Sequence, residues 1–414
     1  MSGEKRFLRT IRARNILSFG PESPEIELRG LNVLIGPNGA GKSNLIDVIS
    51  LLQAAPTNLL EPIQAGGGIG EWLWKGPVGA MPGSVALLVA ASGGGLPAEI
   101  DVTVDYPQGT LPVRHRLAFT MVGQRLELWD EAIENERRSQ PSEPDADFYY
   151  RYQHGRPVLN VPSAWGPSPR KLRREDLPLD QSVLSQRKDP DQYPELTYLG
   201  NQYAKIRLFR EWNLGRHAPA RRPQSTDLPV EFLREDAANI ALVLNDLVSR
   251  ANLRSNLVEK LKNADDTIVD FSTPVLGGTI GLFLHHAGFR SPVPATRLSD
   301  GTARYLCLLA VLCHPTPPPL VCLEEPELGL HPDLLPGLAD LLVEASERMQ
   351  LIVTTHSDAL VDGLTKVPEA VLICEKRNGS TEMSRRASAE LTQWLKDYGL
   401  GQLWRRGELG GNRW

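Results

Sequence analysis

The sequence predicts an α/β protein built on a mixed, mainly parallel sheet, with an antiparallel β subdomain and a helical inserted subdomain. Three features predict it. An apolar run, Leu31 to Ile35, stops at a glycine and hands over to a dense apolar helix. A meander of short segments follows, in which Ile100-Asp101-Val102-Thr103-Val104 shows the period-two alternation of a sheet with one wet face. Towards the C-terminus, helical and apolar strand segments alternate, the pattern of a helix-covered parallel sheet.

From Phe7 to Ile35 the pattern is one of short strands. Leu45, Ile46, Val48, Ile49, Leu51 and Leu52 then crowd apolar residues too densely for a surface helix, so this one is expected to be buried against a sheet and ended by Pro56. After the turn Gly66-Gly67-Gly68, the segments Val85 to Ala91, Ile100 to Tyr106, Val113 to Val122 and Arg125 to Trp129 read as successive strands. Between about Glu131 and Pro229 the composition turns polar and proline-rich, around the patch Tyr149-Tyr150-Arg151-Tyr152. That stretch reads as an inserted, partly irregular subdomain, without the sustained heptads of a coiled-coil arm. A helix is expected from Asp236, then strands at Thr267 to Phe271 and Thr279 to His285. The series closes with a helix near Ala303 to Cys313, a strand at Leu320 to Leu323, a helix from Asp333 to about Arg348 and a strand at Gln350 to Thr354. The expected organisation is an N-terminal lobe over residues 1–130, an insertion over 131–235 and a C-terminal lobe over 236–414.

A chain of 414 residues suits two lobes, or one large domain carrying an insertion. A net charge of −5 and a pI near 6.0 exclude a surface covered in positive charge, so any DNA contact needs a local patch. Arg170-Lys171 with Arg173-Arg174, and Arg221-Arg222, are the basic clusters available, though in a charge-balanced insert such clusters are more often simply solvated. No stretch approaches eighteen apolar residues, and Met1 to Arg14 lacks a signal-peptide core, so a cytoplasmic protein with no membrane partner is expected. Cys307, Cys313, Cys322 and Cys374 lie in apolar segments without zinc-site spacing and read as buried free thiols.

Gly36-Pro37-Asn38-Gly39-Ala40-Gly41-Lys42-Ser43 satisfies the phosphate-binding P-loop pattern, between an apolar strand and a helix. In that context backbone N–H groups and the positive helix end both point at phosphates. Lys42 is expected to hold the β and γ phosphates of ATP, Ser43 to ligate Mg²⁺, and Asn44 to complete the nucleotide-binding turn.

Downstream, the strand Leu320 to Leu323 runs into Glu324-Glu325. Glu324 is suited to hold the magnesium and its water shell, and Glu325 to orient and polarise the water that attacks the γ phosphate. The strand before Thr354-Thr355-His356-Ser357 delivers a histidine to a sheet end, where His356 can contact the γ phosphate. Leu298-Ser299-Asp300-Gly301-Thr302 opens another helix and forms a second anion site. One chain has one P-loop, so Ser299, Asp300 and Gly301 make sense facing the nucleotide of a second copy, head to head. His331, in the Leu328-Gly329-Leu330-His331-Pro332 turn, is suited equally to packing at that contact and to chemistry.

The order P-loop, Leu-Ser-Asp-Gly, Glu-Glu-Pro-Glu and Thr-Thr-His-Ser resembles the RecF-like and OLD-type branch of ABC ATPases. From Arg297 to Trp414 the chain is similar to bacterial predicted ATPases that end in a Leu-Gly-Gly-Asn-Arg-Trp-like tail. The resemblance implies an ABC-type P-loop NTPase head. Gly36 to Ser43 would then be Walker A, Ser299 to Gly301 the signature, Glu324 and Glu325 Walker B and its base, and His356 the switch histidine. It implies a Mg-dependent ATPase that dimerises, or forms a higher oligomer, around two ATP molecules. Two departures stand out: Glu324 where aspartate is usual, and His331 where the dimer loop commonly has an acid. A magnesium-sensing glutamine is also implied after the first helix, with Gln53 and Gln64 as candidates.

The branch works on DNA or in antiphage defence, often with a nuclease. About sixty residues follow His356, too few for a TOPRIM nuclease domain, so a nuclease partner is expected on another chain. Asp145-Ala146-Asp147 and Asp189-Pro190-Asp191 read as solvated loops rather than nuclease acids. The alternative is a RecF-like repair ATPase acting on DNA itself. In the tail, Trp404, Arg405, Arg406 and Trp414 suit either an interface or a fold back onto the core.

Overall fold

Five apolar runs of the sequence lie side by side as parallel strands. The order is Arg207–Phe209, Leu320–Glu324, Gln350–Thr354, Leu31–Ile35 and Val371–Arg377, with Ser380–Ser384 added antiparallel at one edge. This computed structural model describes residues 5–77, 96–137, 148–153, 156–161, 168–171, 178–251, 253–387, 391 and 394–411. The central strands are apolar throughout because both faces are covered. Val33, Val321 and Val353 face a layer that contains the helices Ile240–Ala251, Asp300–Leu312 and Leu335–Ser346. Leu34, Cys322 and Ile352 alternate to the other side, against the helix Lys42–Ala54 and the antiparallel sheet. The fold is thus mixed α/β, with the first helix buried as its composition requires.

The antiparallel sheet has eight strands, in the order Ile26–Glu27, Leu8–Arg14, Ala98–Val104, Val113–Val122, Arg125–Asn135, Phe148–Gln153, Arg156–Val161 and Ser168–Lys171. It therefore runs well past Trp129, into the polar stretch expected to be partly irregular. A cross-strand ion pair accounts for part of that polarity, Arg151 meeting Glu134 at 2.9 Å, and earlier in the same sheet Arg12 and Arg114 both reach Asp101 at 2.6 Å. Against the upward push of burial, these arginines hold the Asp101 carboxyl below the usual range. The same stretch supplies the helices Val183–Gln186 and Pro194–Tyr203. The expected strand at Val85 to Ala91, the Asp145-Ala146-Asp147 pair and Arg173-Arg174 lie outside the described residues.

Local chemistry moves several boundaries. The helix expected from Asp236 begins at Ile240, because the Asp236 carboxylate accepts the Ala238 N–H at 3.0 Å and Ala237 takes φ +55°. Thr279 to His285 is divided between Thr279–Ile280 and Phe283–His286, which join two different three-stranded sheets. The helix expected from Asp333 begins as the 3-10 turn Pro332–Leu334 and continues as Leu335–Ser346. All four cysteines are free and buried.

Candidate nucleotide site

The register of the parallel strands assembles the site. Leu323 lies beside Val353, and Val353 beside Val33, so Glu324-Glu325, Thr355-His356 and Gly36 all leave the sheet at its carboxyl edge. At Gly36, Gly39 and Gly41 the loop takes φ +147°, +76° and +99°, then enters the helix Lys42–Ala54 with no side-chain cap. The first-turn N–H groups of Lys42, Ser43 and Asn44 thus have no intrahelical acceptor and no capping side chain, which fits a phosphate chain. Lys42 is 6% exposed, and its Nζ donates to the carbonyls of Gly36 at 2.8 Å and Pro37 at 3.1 Å. Burial pushes its ammonium below the usual lysine range, offset by the nearby Glu325 and Glu324 carboxylates.

Across from the lysine, Glu325 takes φ +45°, a left-handed conformation uncommon outside glycine. Its N–H donates to the Thr354 carbonyl at 3.0 Å, which pins the turn. Glu325 Oε1 lies 3.6 Å from His356 Nε2, both side chains about one-third exposed. Glu327 supports the histidine from below: it accepts the Thr355 hydroxyl, and the His356 N–H at 3.1 Å. Burial raises the Glu327 carboxyl above the usual glutamate range, against those hydrogen bonds.

The turn from Leu298 to Thr302 is built differently. Ser299 caps its helix by accepting the Thr302 N–H at 3.0 Å. Arg221 lies beneath it, 4% exposed: it donates to the Leu214 carbonyl at 2.6 Å, to the Leu298 carbonyl and to the Asp300 carboxylate. Gly301 packs so closely on the turn after Glu324-Glu325 that a Cβ would lie 2.7 Å from the Gly329 carbonyl oxygen. Among the described residues, the hydrogen bonds of Ser299 and Asp300 run within this unit and to Arg221, with none to the P-loop.

Residues 31–362 match the family described as "AAA domain, putative AbiEii toxin, Type IV TA system". The chain belongs to this family. Its fold is that of SMC heads. A Smc head bound to the C-winged helix domain of ScpA matches with a TM-score of 0.52 and 14% identity, over 94% of this chain and 99% of its own. A Smc head with an extended coiled coil, bound to the C-terminal domain of ScpA derived from Pyrococcus furiosus, matches with a TM-score of 0.54 and 13% identity, over the same shares. No curated protein matches. The chain thus carries an AAA domain with the fold of an SMC head.

Members of such an ATPase family use nucleotide and Mg²⁺. Here Ser43, in the first turn of the helix, and Glu324, at the carboxyl end of its strand, are oxygen donors of the kind a hard cation takes. Neither glutamine candidate fits a magnesium sensor. Gln53 belongs to the first helix itself, about 15 Å along it from Ser43 by helical rise. Its amide donates to the Ile206 carbonyl at 2.9 Å and to Glu235 at 3.1 Å. Gln64 lines a separate cavity with Arg125 and Leu179.

Two residues behind the P-loop escaped the sequence reading, Ser18 and Thr381. The Thr381 hydroxyl donates to the Ala40 carbonyl at 2.8 Å and lies 2.7 Å from Ser18 Oγ, which accepts the Asn44 amide at 2.7 Å. Ser18 and Thr381 stand 363 positions apart, so no local signal marks the pair.

Proposed function

We propose that this ATPase head binds Mg-ATP at the P-loop and hydrolyses it between two copies of itself. Lys42 holds the β and γ phosphates, and the first-turn amides of Ser43 and Asn44 take the remaining phosphate oxygens. Ser43 and Glu324 hold magnesium, whose charge, when bound, offsets that of the phosphates. Glu325 accepts a proton from the attacking water, and His356 orients Glu325 and touches the γ phosphate. Ser299, Asp300 and Gly301 of the second copy close the site. The observation that carries the reading is the Glu325–His356 pair at 3.6 Å, on the sheet edge that also bears Lys42.

We further propose that nucleotide-driven closure governs a separate protein, either a DNA-acting or an antiphage-defence effector such as a nuclease. The toxin–antitoxin wording of the family description supports a defence setting, and the ScpA domains bound to the two Smc heads support a protein partner. The reading places the protein in the cytoplasm, where four free buried thiols are at home. No helix among the described residues is long and apolar enough to cross a membrane. Direct action on DNA has less support, because Arg221, half of one basic cluster, is turned inward to Asp300.

Glu325→Gln should lower kcat about a hundredfold while leaving nucleotide affinity unchanged. An unchanged rate removes Glu325 from the role of base. Stimulation of hydrolysis by duplex DNA, with binding that weakens steeply in salt, would favour direct action on DNA over a protein effector.

A further inference from the structure

The segment 400–411 has no part in the chemistry above, yet it touches both the start of the P-loop and the helix that follows His356. Its helix, Leu400–Arg405, packs on the helix Asp358–Gly363, which starts two residues after His356. The approach is backbone to backbone: a Cβ on Gly401 would overlap the Asp358 carbonyl oxygen. The Gly401 N–H donates to Asp362 at 3.1 Å, the Leu400 N–H to Thr365 at 3.0 Å, and Arg405 Nε to Asp358 at 2.6 Å. Trp404 and Leu409 are buried in the core, so this part of the tail folds back on its own chain, while Trp414 lies outside the described residues.

The other end of the segment reaches the P-loop. The Gly411 N–H donates to Glu375 Oε1 at 2.8 Å, and Arg386 Nε donates to the Leu409 carbonyl at 3.1 Å. Gly411 takes φ +71°, and a Cβ there would lie 3.0 Å from Ile373 Cγ2 and 3.5 Å from Gly36 Cα. Gly36 in turn has no room for a Cβ beside the Cys374 carbonyl. Three stretches of backbone are thus pressed together where the P-loop begins, and the third belongs to this segment.

We propose that residues 400–411 are a strap that positions the P-loop and the switch-histidine turn relative to each other, with Gly401 and Gly411 as its contact points. The inference rests on the ATPase reading above. Lysine-held phosphates and a histidine-held base are useful only at a fixed separation, and misplacement by about an ångström costs up to a hundredfold in rate. The two attachment points divide the effect. The Gly411 end bears on phosphate binding, the Gly401 end on the turn that carries His356.

The test uses the full chain. Gly411→Ala should raise KM for Mg-ATP about tenfold with a smaller change in kcat, and Gly401→Ala should lower kcat about tenfold with KM nearly unchanged. Glu375→Ala, which adds no Cβ at Gly411 though it also frees Arg377, should repeat the Gly411→Ala effect in milder form, and Glu375→Gln should restore it because an amide oxygen still accepts the Gly411 N–H. Without nucleotide, amide hydrogen exchange should quicken at residues 36–43 in Gly411→Ala and at 355–360 in Gly401→Ala, while Gln350–Thr354 stays protected. The strap is overturned if folded variants match the wild type in kinetics and exchange. It is equally overturned if kcat and KM shift together in both variants in step with a lowered Tm. A wild type that hydrolyses nothing would sink the ATPase reading alone, since the exchange pattern still decides the strap.

Discussion

The two halves of the candidate site are built on opposite terms. The P-loop half closes on itself: Lys42 is buried, Thr355 is buried, and Glu325, His356 and Gly36 converge from adjacent parallel strands. The signature half is held just as firmly from beneath, by Arg221 and by the Gly329 backbone, but faces outward. Asp300 keeps 75% of its side chain exposed, His331 72%, and Leu328, on the neighbouring turn, is 51% exposed. A surface that is fixed in shape and exposed among the described residues is what a self-complementary dimer contact requires. On the function proposed above, binding belongs to one half and completion in trans to the other.

That assignment can be broken at several points. Lys42→Ala should have the largest effect, abolishing nucleotide binding by equilibrium dialysis and cutting hydrolysis about a thousandfold. Ser299→Arg should cut hydrolysis about a hundredfold while the dialysis result stays at the wild-type level, because the phosphates are held elsewhere. Arg221→Ala should lower turnover about tenfold, again with binding intact, and Arg221→Lys should recover part of it by reaching one of the three acceptors. Loss of nucleotide affinity in either signature variant would erase the distinction between the halves.

The smallest effect concerns pH. Because the Glu327 carboxyl is raised in the folded protein, its contribution to stability is fully present below its unfolded value near 4.5 and is lost as pH rises through the folded value. Glu327→Gln keeps an oxygen for the Thr355 hydroxyl and the His356 N–H but cannot ionise. Its Tm should therefore gain on the wild type as pH rises from 4.5 to 7.5. A gain towards low pH instead would show that the carboxylate form is the stabilised one.

The same contrast governs what could be read from the sequence. Leu31–Ile35, Leu320–Glu324 and Gln350–Thr354 were legible because a strand covered on both faces leaves an unbroken apolar run, and each run ends at a residue of the site. The far strands of the antiparallel sheet were not, because pairs such as Arg151–Glu134 satisfy polar residues across strands, and a single sequence shows only their polarity. Arg221 looked like half of a basic cluster. Its burial under Asp300 depends on contacts 77 and 79 positions away. The helix start at Ile240 turned on one carboxylate and one left-handed alanine, chemistry that apolar periodicity does not register.

Mixing two crippled chains tests the division most directly. Lys42→Ala and Ser299→Arg are each expected to be inactive, for different reasons and on opposite sides of the contact. In an equal mixture half of the randomly formed dimers carry one intact site, so about a quarter of the wild-type rate should return. A mixture as inactive as its components would show that the signature of one copy does not complete the nucleotide site of the other.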